Sequence, residues 1–416
     1  MGVQIRMKEI GGQIRTFFKW IALAVVCGFV IGGVGTGFLY AIQQATQLRQ
    51  ESGWLVWLMP AGGLLIVFLY RICKMSDDAG TNLVLLSVRS EEKISLRMAP
   101  LIFVATVITH LVGGSAGREG AALQIGGSMG FQIGRWVRLD QNDLRIITMC
   151  GMSAAFSALF GTPVAAAVFS LEVVSVGVMY YAALVPCALA SVIGYLLAGW
   201  FGIHPASLSL YGIPEIGWIS LGQVVVLAIL CALVSILFCF LLHRTEDLYK
   251  KWIQNQYLRI LAGSALILLL MLVLQTRDYL GSGVDVVARA LDGQARPEAF
   301  ALKMIFTALT LGAGFKGGEI VPAFFVGATF GNVAGWLLGL NPSFGAGIGF
   351  CAVFCGVTNC PITSFLISVE LFGMEGAVYF LIAAAVSYML SGYSGLYGRQ
   401  KDKRQVFCRL KDEKRW

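Results

Sequence analysis

Charged residues are scarce in this sequence of 416 residues. Asp, Glu, Lys and Arg make up only 13% of the chain, while hydrophobic residues make up 57%. A soluble globular domain carries about 25% charged residues, because it needs them to cover its surface. A chain that is solvated by lipid has no such need. The composition therefore predicts a membrane protein and excludes an ordinary soluble domain.

The residues that build metal centres and disulfide frameworks are few or unsuitably spaced. The three histidines, His110, His204 and His243, lie far apart in the sequence. The ten cysteines include no CxxC pair, and their densest group, within residues 351–360, has no histidine beside it. We therefore predict no metal and no cofactor, and buried structural thiols rather than disulfides. His110 is expected to be a hydrogen-bonded helix residue.

The net charge of +8 is confined to the two ends of the chain. Residues 1–20 carry +3 and residues 399–416 carry +5, so the sequence between them is neutral. Basic segments that flank apolar spans lie in the cytoplasm under the positive-inside rule. This predicts a multi-pass protein of the plasma membrane with two cytoplasmic termini and an even number of crossings. Nucleic-acid binding is the alternative interpretation of a basic tail, but so much apolar sequence favours membrane lipids as the partner.

Apolar stretches long enough to cross a bilayer, about 17–25 residues, alternate with stretches that glycine or proline interrupts. Complete spans are predicted at Ile21–Ile42, Trp54–Tyr70, Ile219–Leu242, Leu258–Gln275 and Ala377–Tyr393. The interrupted stretches are Met98–Gly113, Ala121–Gly134 and Phe344–Val357. Transporters use interrupted helices to expose backbone polar groups at membrane depth. The pattern predicts an all-α polytopic membrane transporter.

An internal repeat divides the chain into two related halves. Four glycines recur 201 residues later, so that Gly117, Gly126, Gly130 and Gly134 correspond to Gly318, Gly327, Gly331 and Gly335. At an offset of 198, Pro163, Ser170 and Glu172 correspond to Pro361, Ser368 and Glu370. The glycines spaced four residues apart are expected to pack helices closely. We predict halves at about residues 21–245 and 255–398, divided within Thr245–Tyr257, and inverted if each half crosses an odd number of times.

Ionisable groups at membrane depth are functional candidates, because each costs about 2.5–3.5 kcal/mol at a helix centre. The candidates here are Arg118, Glu119, Glu172, Lys316, Glu319 and Glu370. Glu172 and Glu370 occupy matched places in the repeat, which favours a shared packing or capping role over proton transfer. Lys316 either pairs with Glu319 or faces water.

Glu119 stands between a glycine-rich segment and the apolar stretch Ala121–Gly134. This pattern predicts a helix N-terminus at Glu119, where free N–H groups and the positive end of the dipole attract anions. The carboxylate can occupy such a site and leave it when protonated. The second half repeats the arrangement at residues 317–322, with Pro322 suited to an early helical position. We predict an anion site where the two N-termini meet; a capping carboxylate without a transport role is the alternative.

The segment Gly117-Arg118-Glu119-Gly120 resembles the GREG core of the CLC family of chloride channels and anion/proton antiporters. Residues 314–327 resemble the second pore motif of that family, and Gly161–Glu172 and Tyr397 resemble its other landmarks. The resemblance covers nearly the whole chain, and the motifs follow the family order. It implies a CLC-type fold of two inverted helical repeats with broken and re-entrant helices. It also implies a homodimer with one pore in each subunit.

The resemblance implies roles for individual residues and segments. Glu119 becomes the external gating glutamate, and Glu319 joins it in gating and proton coupling. The residues implied to line the anion pathway are Gly80, Thr81, Asn82, Gly117, Arg118, Gly120, Gly318, Ile320, Val321 and Tyr397. We expect residues 1–20 to form a basic amphipathic cytoplasmic N-terminus, 21–398 the transmembrane domain and 399–416 a basic cytoplasmic tail. Only nineteen residues follow Tyr397, so no CBS domains are expected.

Four positions depart from the pattern usual in the chloride-transporting members. They are Ala121 in place of proline, Thr81 in place of serine, Glu319 in place of an apolar residue, and Val173 in place of an internal proton glutamate. This combination resembles the fluoride-exporting branch of the family, although Val321 lacks a hydroxyl group and Leu83–Leu85 provide no aromatic side chain. We therefore expect proton-coupled fluoride export, with fluoride, chloride and protons as the ions concerned. A chloride/proton antiporter or a passive, voltage-gated-type chloride channel of the same fold is the alternative.

Two other functions are compatible with isolated features of the sequence. Residues 113–117 satisfy the G-x-S-x-G pattern of an intramembrane hydrolase, and His110 is nearby. That pattern needs a strand–turn–helix in a hydrolase sheet, and no base motif accompanies it, so we expect no enzyme. A cation transporter would line its pore with several acids and lack paired helix N-termini.

Overall fold

The computed structural model describes residues 2–75, 80–89, 92, 94–203, 208–392, 395–397 and 401–402. The side chains described are those of these residues between 10 and 397. His204 and most of the basic tail predicted at residues 399–416 lie outside the described part of the chain.

Within these residues the chain forms sixteen α-helices, two short 3-10 helices and one pair of two-residue strands. The first eight helices are α1 (Gly2–Glu51), α2 (Met59–Ile72), α3 (Thr81–Arg89), α4 (Met98–Leu111), α5 (Glu119–Trp136), α6 (Gln141–Phe160), α7 (Pro163–Glu172) and α8 (Leu184–Trp200). The last eight are α9 (Trp218–Trp252), α10 (Gln256–Leu274), α11 (Val284–Leu291), α12 (Ala299–Ala313), α13 (Ile320–Leu337), α14 (Pro342–Thr358), α15 (Pro361–Phe372) and α16 (Ala377–Ser391). The 3-10 helices are Gly53–Leu58 and Tyr181–Ala183, and β1 (Ser175–Val176) pairs in parallel with β2 (Lys401–Asp402).

The helices repeat in the order that the sequence predicts. α4, α5 and α6 begin 201 residues before α12, α13 and α14, and α1 ends 201 residues before α9. Each of the first eight helices therefore has a counterpart eight helices later. Thr245 lies inside α9, which is continuous to Trp252. The pairing thus favours a division of the halves between α8 and α9, earlier in the chain than the predicted segment Thr245–Tyr257.

Seven helical segments of the described chain are long and apolar enough to cross a membrane. The longest are Ile10–Glu51 with 42 residues and Trp218–Trp252 with 35 residues. The stretch Ala377–Tyr393, predicted as a complete span, is instead the 15-residue helix α16. At a rise of 1.5 Å per residue, α16 is about 22 Å long, which is short of the roughly 30 Å of a bilayer core.

Glycines allow α5 to pack closely on α6, and α13 on α14. A Cβ atom on Gly130 would lie 2.5 Å from the carbonyl oxygen of Ile147. Gly331 lies against Gly345 in the same way in the second half. These contacts confirm that the glycines spaced four residues apart serve helix packing.

α7 and α15 cap each other across the two halves. Glu172, the last residue of α7, accepts hydrogen bonds from the N–H groups of Ile362 and Thr363 at 3.1 and 2.8 Å. It also accepts one from the Thr363 hydroxyl at 2.6 Å. Glu370, near the end of α15, accepts two hydrogen bonds, at 2.9 and 2.7 Å, from N–H groups in the first turn of α7. This reciprocal pattern confirms the predicted capping role, and it is what two inverted halves related by a pseudo-twofold axis produce.

Candidate functional site

The segments that lead into α5 and α13 meet at a backbone bridge between Gly117 and Gly318. The Gly117 N–H donates to the Gly318 carbonyl oxygen at 2.6 Å, and the Gly318 N–H donates to the Gly117 carbonyl oxygen at 2.8 Å. A Cβ atom on Gly318 would lie 2.6 Å from the backbone nitrogen of Gly120, so no larger residue fits there. The bridge brings together the N-termini of α5 and α13, as the repeat predicts, and Ile320 at the start of α13 is fully buried.

Glu119 is the first residue of α5, and its side chain is fully buried. Its Oε2 atom accepts hydrogen bonds from the N–H groups of Arg118 at 3.0 Å and Val321 at 3.3 Å. Its Oε1 atom lies 3.9 Å from Nε of Arg118 and has no hydrogen-bond partner among the described residues. One carboxylate thus accepts hydrogen bonds from N–H groups at both helix N-termini, where the positive ends of two helix dipoles converge.

The start of α3 lies against the start of α5. Thr81 donates through Oγ1 to the carbonyl oxygen of Gly120 at 3.3 Å and accepts a hydrogen bond from the Gln124 side chain at 3.2 Å. Gly80 has a φ of 59°, which lets the chain turn into α3 immediately before Thr81. Asn82 follows as the second residue of α3. The first half therefore places Thr81 on the first turn of α5.

Tyr397 and Glu319 complete the set of predicted site residues. The Tyr397 side chain is buried, and its hydroxyl group has no hydrogen-bond partner among the described residues. This hydroxyl interacts electrostatically with both Glu119 and Glu319. Glu319 directly precedes α13 and is partly exposed. It lies within electrostatic range of Glu119 and of Glu246 in α9.

Other candidates from the sequence have different surroundings. Lys316 places its Nζ atom 4.4 Å from the centre of the Tyr70 ring, a cation–π contact. Ser115 is fully buried, with Oγ 3.0 Å from Oγ1 of Thr307. His110 bonds through Nδ1 to the Thr106 carbonyl oxygen of its own helix at 2.9 Å, as predicted. Ser115 and His110 therefore bond to separate partners rather than to each other.

A cavity of about 670 Å³ leads to this site. Arg118 and Val321 belong to its lining, so the cavity reaches the groups that hold Glu119. The last turns of α1 and the segment between residues 277 and 289 form the rest of its polar wall. We call this cavity the vestibule.

Two basic residues near the vestibule do not stand out in the sequence analysis. Lys303 in α12 is fully buried and donates from Nζ to the carbonyl oxygens of Tyr279 at 3.2 Å and Gly281 at 2.7 Å. It is the only charged residue of α12. The signal that marks Glu119, an isolated ionisable group in an apolar stretch, is therefore present at Lys303 as well. Arg49 is 9% exposed at the end of α1. It stands in a polar run of sequence and carries no comparable signal.

Comparisons with known proteins agree with this architecture. The sequence model of the voltage gated chloride channel family matches residues 62–392. A "chloride/fluoride channel protein" of Pseudomonas syringae pv. tomato is 37% identical over 391 residues, which cover 92% of this chain and 86% of the relative. The crystal structure of a "CLC-type fluoride/proton antiporter" superposes with a TM-score of 0.90 at 31% identity, covering 93% of this chain and 98% of that one. The crystal structure of a slow cyanobacterial Cl⁻/H⁺ antiporter shares the fold, with a TM-score of 0.79. It is 20% identical and covers 91% of this chain and 96% of its own.

Proposed function

This chain belongs to the voltage-gated chloride channel family, and from that membership we propose that it exports fluoride across the plasma membrane in exchange for protons. The family consists of channels and ion-exchange transporters, so the chain is a transporter or channel rather than an enzyme. The relative at 37% identity and the structure at 31% identity both carry fluoride in their names. The departures at Thr81, Ala121, Val173 and Glu319 support the same anion.

The position of the Glu119 carboxylate carries the proposal. Ionised, it holds the N–H groups of Arg118 and Val321, which are the donors that an anion needs. A proton added to the carboxylate removes its charge and weakens these charge-assisted hydrogen bonds. The neutral side chain then leaves, and the anion takes its place between the two helix N-termini. A proton and an anion therefore alternate at the same donors.

Glu319 and Tyr397 extend the proposed pathway away from the vestibule. We assign Glu319 to proton coupling because it is partly exposed and interacts with Glu119, Glu246 and Tyr397. Tyr397, whose buried hydroxyl group has no hydrogen-bond partner in the described part of the chain, is assigned to the anion. The remaining predicted pathway residues, Gly80, Thr81, Asn82, Gly117, Gly120, Gly318 and Ile320, shape the two helix N-termini around it.

The membrane orientation follows from the basic ends of the chain. We propose that both termini are cytoplasmic, that residues 21–398 form the transmembrane domain, and that lipids surround a homodimer with one pore in each subunit. With the start of α1 in the cytoplasm, the end of α1 and the vestibule face the outside. Glu119 is then reached from the external side, as an external gate requires.

Chloride transport is the second candidate, and Val321 favours it. This residue places an isopropyl group, and no hydroxyl donor, beside the N–H group that Glu119 uses. A weakly hydrated anion such as chloride loses less there than fluoride does. The side chain of Val321 is therefore the feature that makes a direct comparison of the two halides necessary.

The test is ion efflux from proteoliposomes, with fluoride, chloride and pH recorded together. We expect fluoride efflux to drive protons in the opposite direction, and Glu119→Gln to abolish that linked proton flux. Glu375→Gln changes an exposed glutamate outside the site and should leave both fluxes within about twofold. Chloride moving faster than fluoride would refute the fluoride assignment. Anion movement without linked proton flux in the wild type would make the protein a channel.

A further inference from the structure

The guanidinium group of Arg49 is buried beside the vestibule with an unused donor. Arg49 lies in the last turn of α1 and is 9% exposed, and its Nε atom has no hydrogen-bond partner among the described residues. The group lies against Gly281, since a Cβ atom there would come within 2.7 Å of Nη2. A desolvated cation normally finds a partner for its donors. The unused donor of Arg49 is therefore a feature that a ligand would explain.

The N-terminus of α11 lies on the wall of the same vestibule. Ser282, Gly283 and Val284 all belong to its lining, together with Arg49. Gly283 precedes α11 with a φ of 77°, and none of the described side chains caps this helix N-terminus. Free N–H groups and the positive end of the helix dipole attract anions.

Basic groups exceed acidic groups around Arg49. Lys303 lies within electrostatic range of it. Of the two acids that line the vestibule, Asp278 is already paired with Arg289 at 3.1 Å. Asp285 interacts electrostatically with Arg49 but forms no ion pair with it among the described residues. The vicinity of Arg49 is therefore positive, and an anion is the ligand that its charge selects.

We propose that the vestibule holds a halide ion at a capture site formed by the Arg49 guanidinium group and the N-terminus of α11. This site is distinct from the one at Glu119, because its donors are Arg49 and residues 282–284 rather than the N–H groups of Arg118 and Val321. Guanidinium and N–H groups are donors only, so the site accepts an anion and rejects a cation. Its effect is to raise the local halide concentration at the external mouth of the pore. This inference rests on the proposed function, since it assumes that anions pass through the vestibule.

The direct test is anomalous diffraction from crystals of the full chain grown with sodium bromide. We expect an anomalous peak within hydrogen-bond distance of the Arg49 guanidinium group, separate from any peak at Glu119. The peak should vanish in Arg49→Gln. It should persist in Arg289→Gln, which removes an arginine that is half exposed and paired with Asp278. Absence of the peak from wild-type crystals would overturn the proposal.

Transport kinetics provide a second readout that a purely structural role would not produce. In oriented proteoliposomes with fluoride varied on the vestibule side, Arg49→Gln should raise the half-saturating concentration about tenfold. The maximal rate and the thermal unfolding midpoint should stay close to wild type, and Arg49→Lys should show a smaller rise because it keeps the charge. An unchanged half-saturating concentration, or a maximal rate that falls together with thermal stability, would overturn the capture site.

The two proposals fail in different ways. Bromide bound at Arg49 in a protein that moves neither halide would preserve the capture site and remove the proposed function. Intact fluoride–proton exchange without bromide at Arg49 would do the reverse.

Discussion

Replacing Glu172 with alanine should destabilise the contact between the two halves without acting on the transported ions. The carboxylate accepts hydrogen bonds from two N–H groups and one hydroxyl group in the first turn of α15, and Glu172 is only 6% exposed. A buried donor left without an acceptor costs about 1–3 kcal/mol. The Thr363 hydroxyl can rotate to another acceptor, whereas the two N–H groups cannot. We therefore expect Glu172→Ala to lower the free energy of unfolding by about 2–6 kcal/mol.

The graded variants make this prediction quantitative. Glu172→Gln keeps one acceptor oxygen and the shape of the side chain, so we expect a loss of about 1–2 kcal/mol. Glu370→Ala is the matched control, because this glutamate performs the same capping in the other half with two hydrogen bonds and is partly exposed. Its loss should be smaller, at about 2–4 kcal/mol. The free energy of unfolding is measured for purified protein in mixed micelles with increasing SDS.

The proton flux of Glu172→Gln distinguishes capping from proton transfer. A cap that is still half formed leaves the ratio of protons to fluoride unchanged in proteoliposomes. Loss of proton flux in Glu172→Gln, with the free energy of unfolding equal to that of wild type, would refute the capping argument and make Glu172 a proton carrier.

Three further substitutions test other contacts. Lys303→Met leaves two buried carbonyl oxygens without their donor and should lower the free energy of unfolding by about 2–5 kcal/mol. Lys250→Met, at an exposed ion pair, should change the free energy of unfolding by about 0.5 kcal/mol or less. Equal effects of the two substitutions would contradict a stabilising role for the buried Lys303. Gly318→Ala forces a Cβ atom against the Gly120 nitrogen and should slow fluoride efflux at least about tenfold, while Gly222→Ala, with open space around it, should not. Thr81→Val removes the hydroxyl that links α3 to α5 and should raise the half-saturating fluoride concentration. Thr81→Ser keeps a hydroxyl group and should restore the wild-type concentration. Identical half-saturating concentrations for the two variants would rule out a role for the hydroxyl.

The parts of the site that the sequence predicts depend on local patterns. Glu119 could be placed at a helix N-terminus because glycines precede it and a regular apolar stretch follows it. Gly117 and Gly318 could be paired because their offset recurs in neighbouring glycines. In both cases the information lies within a few residues of the position concerned, or in a constant spacing along the chain.

The parts that the sequence does not predict depend on contacts between distant segments. The equivalence of Glu172 and Glu370 is visible in the repeat, but which helix each one caps depends on the inversion of the halves. Arg49 stands in a polar run, and only the fold buries it beside Gly281. The sequence suggests a division within Thr245–Tyr257, whereas the pairing of the helices favours one before α9, which has 35 residues and is about 52 Å long. Its last turns extend beyond the apolar span, so their polar sequence resembles a linker.

The hydrogen bonds between the two halves limit how the protein can move. The Gly117–Gly318 bridge and the caps of Glu172 and Glu370 together join the halves through seven hydrogen bonds at two separate places. A rocking motion of one half against the other would break most of these hydrogen bonds at once. The core of a bilayer supplies no water to replace them. We therefore expect rigid-body rotation of one half against the other to be too costly for alternating access. We expect the transport cycle to use side chains that move within a stationary helical frame, so that distances between probes attached to the helix ends stay nearly constant.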